Sequence, residues 1–106
     1  MSHSFLPYHY IQSDLERFSK SLSEKLGITV IPFISEMNTS TVQSIGYEMK
    51  SQNDFYLVTR NHLRNDQAEY AIQDRYSSWD IRHNGVMVKG EFPTLQEVID
   101  YIKNIK

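Results

Sequence analysis

The sequence contains no cysteine. A disulfide framework, a thiolate zinc site, an iron–sulfur cluster and a cysteine nucleophile are therefore excluded. Glycine is scarce, at four residues in 106. Neither G-x-G-x-x-G nor G-x-x-x-x-G-K-[ST] occurs, so a backbone cradle for phosphate is hard to build. The nucleophile elbow G-x-S-x-G is missing as well, which argues against serine hydrolysis. No apolar run approaches the ~18 residues that a membrane-spanning helix needs. The start, MSHSFLPYHY, has no basic segment leading into an apolar stretch and predicts no secretory signal. These absences, with the missing cysteine, predict a cytoplasmic protein without a membrane contact.

A dominant charge is also lacking. Net charge is −2, and residues 1–53 carry four bases and five acids against seven and eight in residues 54–106. Neither half is the basic surface that dominates affinity for nucleic acid. The four histidines, His3, His9, His62 and His83, form no H-x-x-x-H and no H-E-x-x-H. No metal and no cofactor is expected.

What is present suits a folded domain. Hydrophobic residues make up 40% and charged residues 23%, too apolar for a disordered chain. Area scaling for this size predicts that ~65% of the unfolded surface is buried on folding. SDLERFSKSLSEKLG pairs Ser13 with Glu16 as a capping box and sets Leu15, Phe18, Leu22 and Leu26 on one face, with Gly27 at the C-cap. The pattern predicts a helix over 14–26, behind a flexible segment 1–12 and inside a single domain 13–106. Four β-rich stretches follow, beginning at Ile28, Thr41, Phe55 and Glu69. The polar NHLRND lies between the last two and reads as a loop.

WDIRHNGVMVKGEF predicts a hairpin, because Asn84-Gly85 supplies the positive φ that both central residues of a type I′ turn need. His83 then pairs with Val86, Arg82 with Met87 and Ile81 with Val88, leaving Trp79 opposite Gly90. Thr94 and Glu97 form a second capping box, and Leu95, Val98, Ile99, Ile102 and Ile105 line one face of a closing helix. The fold class is α+β: a two-layer domain with an N-terminal helix, an antiparallel sheet of five or six strands and a C-terminal helix, both helices on one face.

Three groups of residues are candidates for function. Arg82 and His83 flank the hairpin turn, but no acid falls on the same face to orient the imidazole, so they read as turn residues. Arg60, His62, Arg64 and Asp66 put two cations, an imidazole and a carboxylate in one stretch, as a small ribonuclease would require. The even charge balance makes nucleic acid the second choice of partner. Phe55, Leu57, Ile72 and Trp79 read as core. Tyr56, Tyr70, Gln73, Arg75 and Tyr76 are the candidate binding residues, because two helices cover one face of such a sheet and alternation sets Tyr56, Gln43, Gln73 and Arg75 on the other. Exposed tyrosine beside arginine is the composition of a protein-binding hot spot. The expected function is a small non-enzymatic binding module, an inhibitor, immunity or regulatory protein of bacterial or phage type. It would act on another protein, or on a second copy of itself as a homodimer, through the open face or an edge strand.

Overall fold

A computed structural model describes residues 6–35, 42–65, 69–72 and 78–105. In chain order the elements are β1 (Leu6–Pro7), α1 (Tyr8–Leu26), β2 (Thr29–Ile34), β3 (Val42–Lys50), β4 (Phe55–Arg64), β5 (Glu69–Ile72), β6 (Asp80–His83), β7 (Val86–Met87) and α2 (Leu95–Ile105). All seven strands join one curled antiparallel sheet ordered β1-β5-β4-β3-β2, with β6 on β4 and β7 on β6. Among the described residues no helix is long and apolar enough to cross a membrane.

The first helix begins at Tyr8 rather than at 14, and Pro7 stands at its N-cap without a side-chain bond. Ser13 and Glu16 are interior residues of α1. The extra turns form because Leu6 and Pro7 pair with Tyr70 and Glu69 of β5, Tyr8 lies against the Tyr70 ring, and Ile11 packs on the core. Burial outweighs the local capping signal there. The helix ends where expected: Gly27 is left-handed at φ 67° and donates its N–H to the Ser23 carbonyl at 2.8 Å.

Leu15, Ser19, Leu22 and Leu26 are the buried face of α1, at steps of four, three and four. Phe18 is 45% exposed, at the margin of that stripe, where the Arg17 guanidinium lies over its ring. On α2, Val98, Ile99 and Ile102 are buried, and the Thr94 hydroxyl accepts the Glu97 N–H at 3.2 Å. Leu15, Leu22, Leu26, Val98, Ile99 and Ile102 form one hydrophobic cluster with Val30, Ile45, Tyr47, Met49, Val58 and Ile81 of the sheet. Burying each aliphatic side chain of that set is worth about 1.5–3 kcal/mol.

The hairpin has the register expected at its tip: Arg82 pairs with Met87 and His83 with Val86, and the Val88 N–H reaches the Ile81 carbonyl. Asn84 and Gly85 both have positive φ, at 52° and 87°. Trp79 departs from expectation by bridging to Phe92, not Gly90. Beyond Val88 the chain leaves the ladder and Gly90 takes a φ of 135°, which carries Phe92 back alongside Trp79.

Strand β4 departs most from the sequence reading. The first four residues of NHLRND are strand and not loop, since β4 runs through to Arg64 and pairs with β5 from His62 onward. The inward parity is also the opposite of the one expected. Tyr56 and Val58 are buried, whereas Phe55 is exposed and Leu57 only partly covered. The Met49–Tyr56, Tyr47–Val58 and Val58–Ile81 pairings fix that choice, because partners in a ladder share a face.

Candidate functional site

One edge of β4 pairs continuously with β3, but its other edge is divided. Pairing with β6 runs from Tyr56 to Thr59, and pairing with β5 begins at His62. Arg60 sits at the fork between them. Alternation sends Arg60 and His62 to the side that carries Tyr56 and Val58, toward the helices. Trp79, the residue before β6, lies over the Arg60 guanidinium at 4.4 Å, and Tyr47 from β3 stacks beside Trp79 at 6.0 Å.

These groups line a cavity of about 530 Å³. Its opposite wall is α1, through Ile11, Asp14, Leu15 and Phe18, and the approach to α2 (Pro93, Thr94 and Leu95) completes it. The early start of α1 brings Ile11 and Asp14 across from Arg60.

Burial dominates the electrostatics. It lowers the Arg60 guanidinium from its ordinary value, opposed by the Tyr47 hydroxyl. Burial likewise pushes the Tyr47 phenol up to about 12, against the Arg60 charge that would lower it. Among the described residues Arg60 has no carboxylate partner, and its Nε is buried without a hydrogen bond. Asp14, the acid on the wall, is held by Arg17 at 2.6 Å. His62 Nδ1 donates to the Arg60 carbonyl at 3.0 Å, which places the proton on Nδ1 and leaves Nε2 as the acceptor of the neutral ring.

His62 is held below its ordinary value of 6.5, first by burial and then by the neighbouring Arg60 charge, against the raising effect of its bond to the Arg60 carbonyl. The unfolded chain therefore takes up a proton near pH 6.5 that the folded chain refuses, so stability rises with pH across that window. The melting temperature of the wild type should fall as pH is lowered from about 7.5 to about 5, and that of His62→Gln should fall measurably less. Two parallel curves would remove His62 as the responsible group.

The remaining candidates are placed as follows. Tyr56 and Tyr70 are 2% and 5% exposed, so neither lies on an open face as alternation suggested. Tyr56 faces inward with the rest of its parity, and Tyr70 is covered by Tyr8. Gln43 is buried too, on the parity of Ile45, and its amide donates to the Ser35 carbonyl. Arg64 is half-buried at the end of β4, paired with Tyr70. Gln73, Arg75, Tyr76, Asp66 and His3 lie outside the described residues. Among the described residues no three His, Asp or Glu side chains converge as metal ligands.

His83 does have an acid partner, contrary to the sequence reading. Its Nε2 donates to Asp54 Oδ1 at 2.7 Å, and Asn84 Nδ2 reaches the same oxygen at 3.3 Å. The His83 bond is the largest reason that the Asp54 carboxyl stays below its ordinary value. Asp54 belongs to the β3–β4 turn and is remote in sequence, so hairpin alternation could not reveal it. The Asn84 amide oxygen also takes the Phe55 N–H at 2.8 Å, and His83 stacks on Tyr56 at 4.5 Å. The cluster is a clasp that ties two turns together.

Trp79, Tyr47 and Asp14 were not legible as site residues. Arg60 and Trp79 meet only through the Thr59–Asp80 pairing, a contact between distant segments with no local signature. The fold and the cavity together define a class: a small α+β domain whose described residues form a curled antiparallel sheet and two helices, with the half-buried Arg60 walled by aromatic rings. No protein-family model matches the sequence, and no curated protein is significantly similar to it.

Proposed function

We propose that the protein acts by binding another protein, as an inhibitor, immunity or regulatory subunit would, and that the contact surface is the sheet face turned away from both helices. The supporting observation is a row of side chains that crosses the sheet. Ile31, Glu48, Leu57, Arg82 and Met87 follow one another as partners across β2, β3, β4, β6 and β7. Ile31 is 48% and Met87 45% exposed, and Phe55, also exposed, precedes Leu57 on the same face. Phe, Met and Arg are the residues by which interface cores differ from ordinary surface.

The order of the row also suits a second copy of the chain. Leu57 stands between Glu48 and Arg82, so a two-fold axis through Leu57 sets each glutamate against the arginine of the other copy. Isologous dimers are built on that kind of self-complementarity. Arg60 and His62 turn into a cavity walled by α1 instead of an open basic face, which favours this reading over RNA binding or cleavage.

Leu57→Lys places a charge at the centre of the row without touching the core. Sedimentation and pull-down, run with and without nuclease, should show a dimer or a retained protein for the wild type and neither for the variant. Identical behaviour of the two would sink the reading.

A further inference from the structure

We propose that the cavity between α1, β4 and the approach to α2 is a binding site for a small organic carboxylate, held by the Arg60 guanidinium beneath Trp79. This rests on different residues from the outer face and stands independently of it. A half-buried cation that the described residues leave without a counter-charge is costly, since desolvation is offset only by a partner. The one acid among the described residues of the wall, Asp14, is already engaged by Arg17 at 2.6 Å. A ligand anion supplies the missing charge.

The chemistry narrows the class. Among the described residues Arg60 is the only cation on the wall, so the cavity balances one negative charge, and Asp14 opposes a second. That favours a carboxylate over a phosphate, and the planar guanidinium fork matches a carboxylate in two parallel bonds. Trp79 stacks on the fork and holds its plane before any ligand arrives. The Tyr47 hydroxyl keeps its proton and is a donor on the same wall. Beside the polar His62 and Thr94, the wall carries apolar Ile11, Leu15, Phe18 and Leu95, so the body of the ligand is an aliphatic or aromatic group. A volume of about 530 Å³ lies within the range of small-molecule sites.

Trp79 is the only tryptophan in the chain, so its fluorescence reports on this cavity alone. The wild type is titrated with sodium benzoate and sodium octanoate, and in parallel with benzamide and inorganic phosphate. A saturable change with at least one carboxylate, absent with benzamide and phosphate, is expected. Arg60→Gln should weaken it by roughly tenfold or more, because a hydrogen-bonded charge pair is lost. Arg60→Lys, which keeps the charge without the fork, should fall between. Without ligand, Arg60→Met should melt no lower than the wild type, since it removes a cation that the described residues leave uncompensated. Benzamide or phosphate binding as well as the acids, or no saturation at millimolar carboxylate, overturns the proposal. So does an Arg60→Met protein that melts well below the wild type, which would make Arg60 a structural residue.

Discussion

Gly46→Ala is expected to prevent folding altogether. A Cβ built at Gly46 would stand 1.9 Å from the Val58 carbonyl oxygen and 2.8 Å from the Thr59 Cα. Both are backbone atoms of the neighbouring strand, so no rotamer change relieves the contact. Gly46 pairs with Thr59 at the middle of the longest ladder in the sheet, where β4 would have to move as a whole. The requirement is for close approach and not for positive φ, since Gly46 is not among the residues with that conformation. A clash of this kind costs more than about 4 kcal/mol, comparable to the lower end of the 5–15 kcal/mol by which a small domain is stable. Circular dichroism and amide proton dispersion decide it: a variant with wild-type spectra and melting would show that β3 and β4 can separate at this point.

Tyr56→Ala is expected to lower the melting temperature by about 15 °C, from a loss of roughly 3 kcal/mol typical of aromatic-to-alanine changes in a core. Tyr56 is 2% exposed, is stacked on His83, and lies across from Met49 in the β3–β4 ladder. Truncation leaves a void under the clasp formed by Asp54, His83 and Asn84. Tyr56→Phe keeps the ring and should retain most of the stability. The pair separates two roles for the residue. If Tyr56→Ala melts like the wild type but loses a bound partner, Tyr56 is a contact residue as its alternation first suggested. A large drop in melting temperature with Tyr56→Ala and little with Tyr56→Phe makes it a core residue.

Tyr56 also shows why part of the candidate site was hidden. FYLVTRN is apolar on both parities: Phe55 and Leu57 on one, Tyr56 and Val58 on the other. Period-two alternation says that two faces exist, but not which is inside. The answer is supplied by Tyr47 and Met49 of β3 and Ile81 of β6, all of them buried. The same inversion carries Arg60 and His62 from a supposed loop into the cavity. The residue types of these two mark them for chemistry in the sequence, and they do lie together. Their setting is not legible there, because Trp79, Tyr47 and Asp14 come from three other segments.

The sequence by itself determined the features that a few neighbouring residues can decide. Asn84-Gly85 fixes its turn through the φ angles that only such residues accept cheaply, and Gly27 ends α1 for the same reason. Thr94 starts α2 with its own hydroxyl, and the spacing of Val98, Ile99 and Ile102 sets the buried face of that helix. The inward face of β3, with Ile45, Tyr47 and Met49, was unambiguous because the opposite parity holds serine, glycine and glutamate. Only the tertiary structure decided where α1 begins, which side of β4 is inside, and that β5 and β6 share one of its edges. Each of these depends on free energy gained between segments far apart in the chain. Burial and ladder pairing there exceed the fraction of a kilocalorie to one kilocalorie per residue by which local propensity speaks.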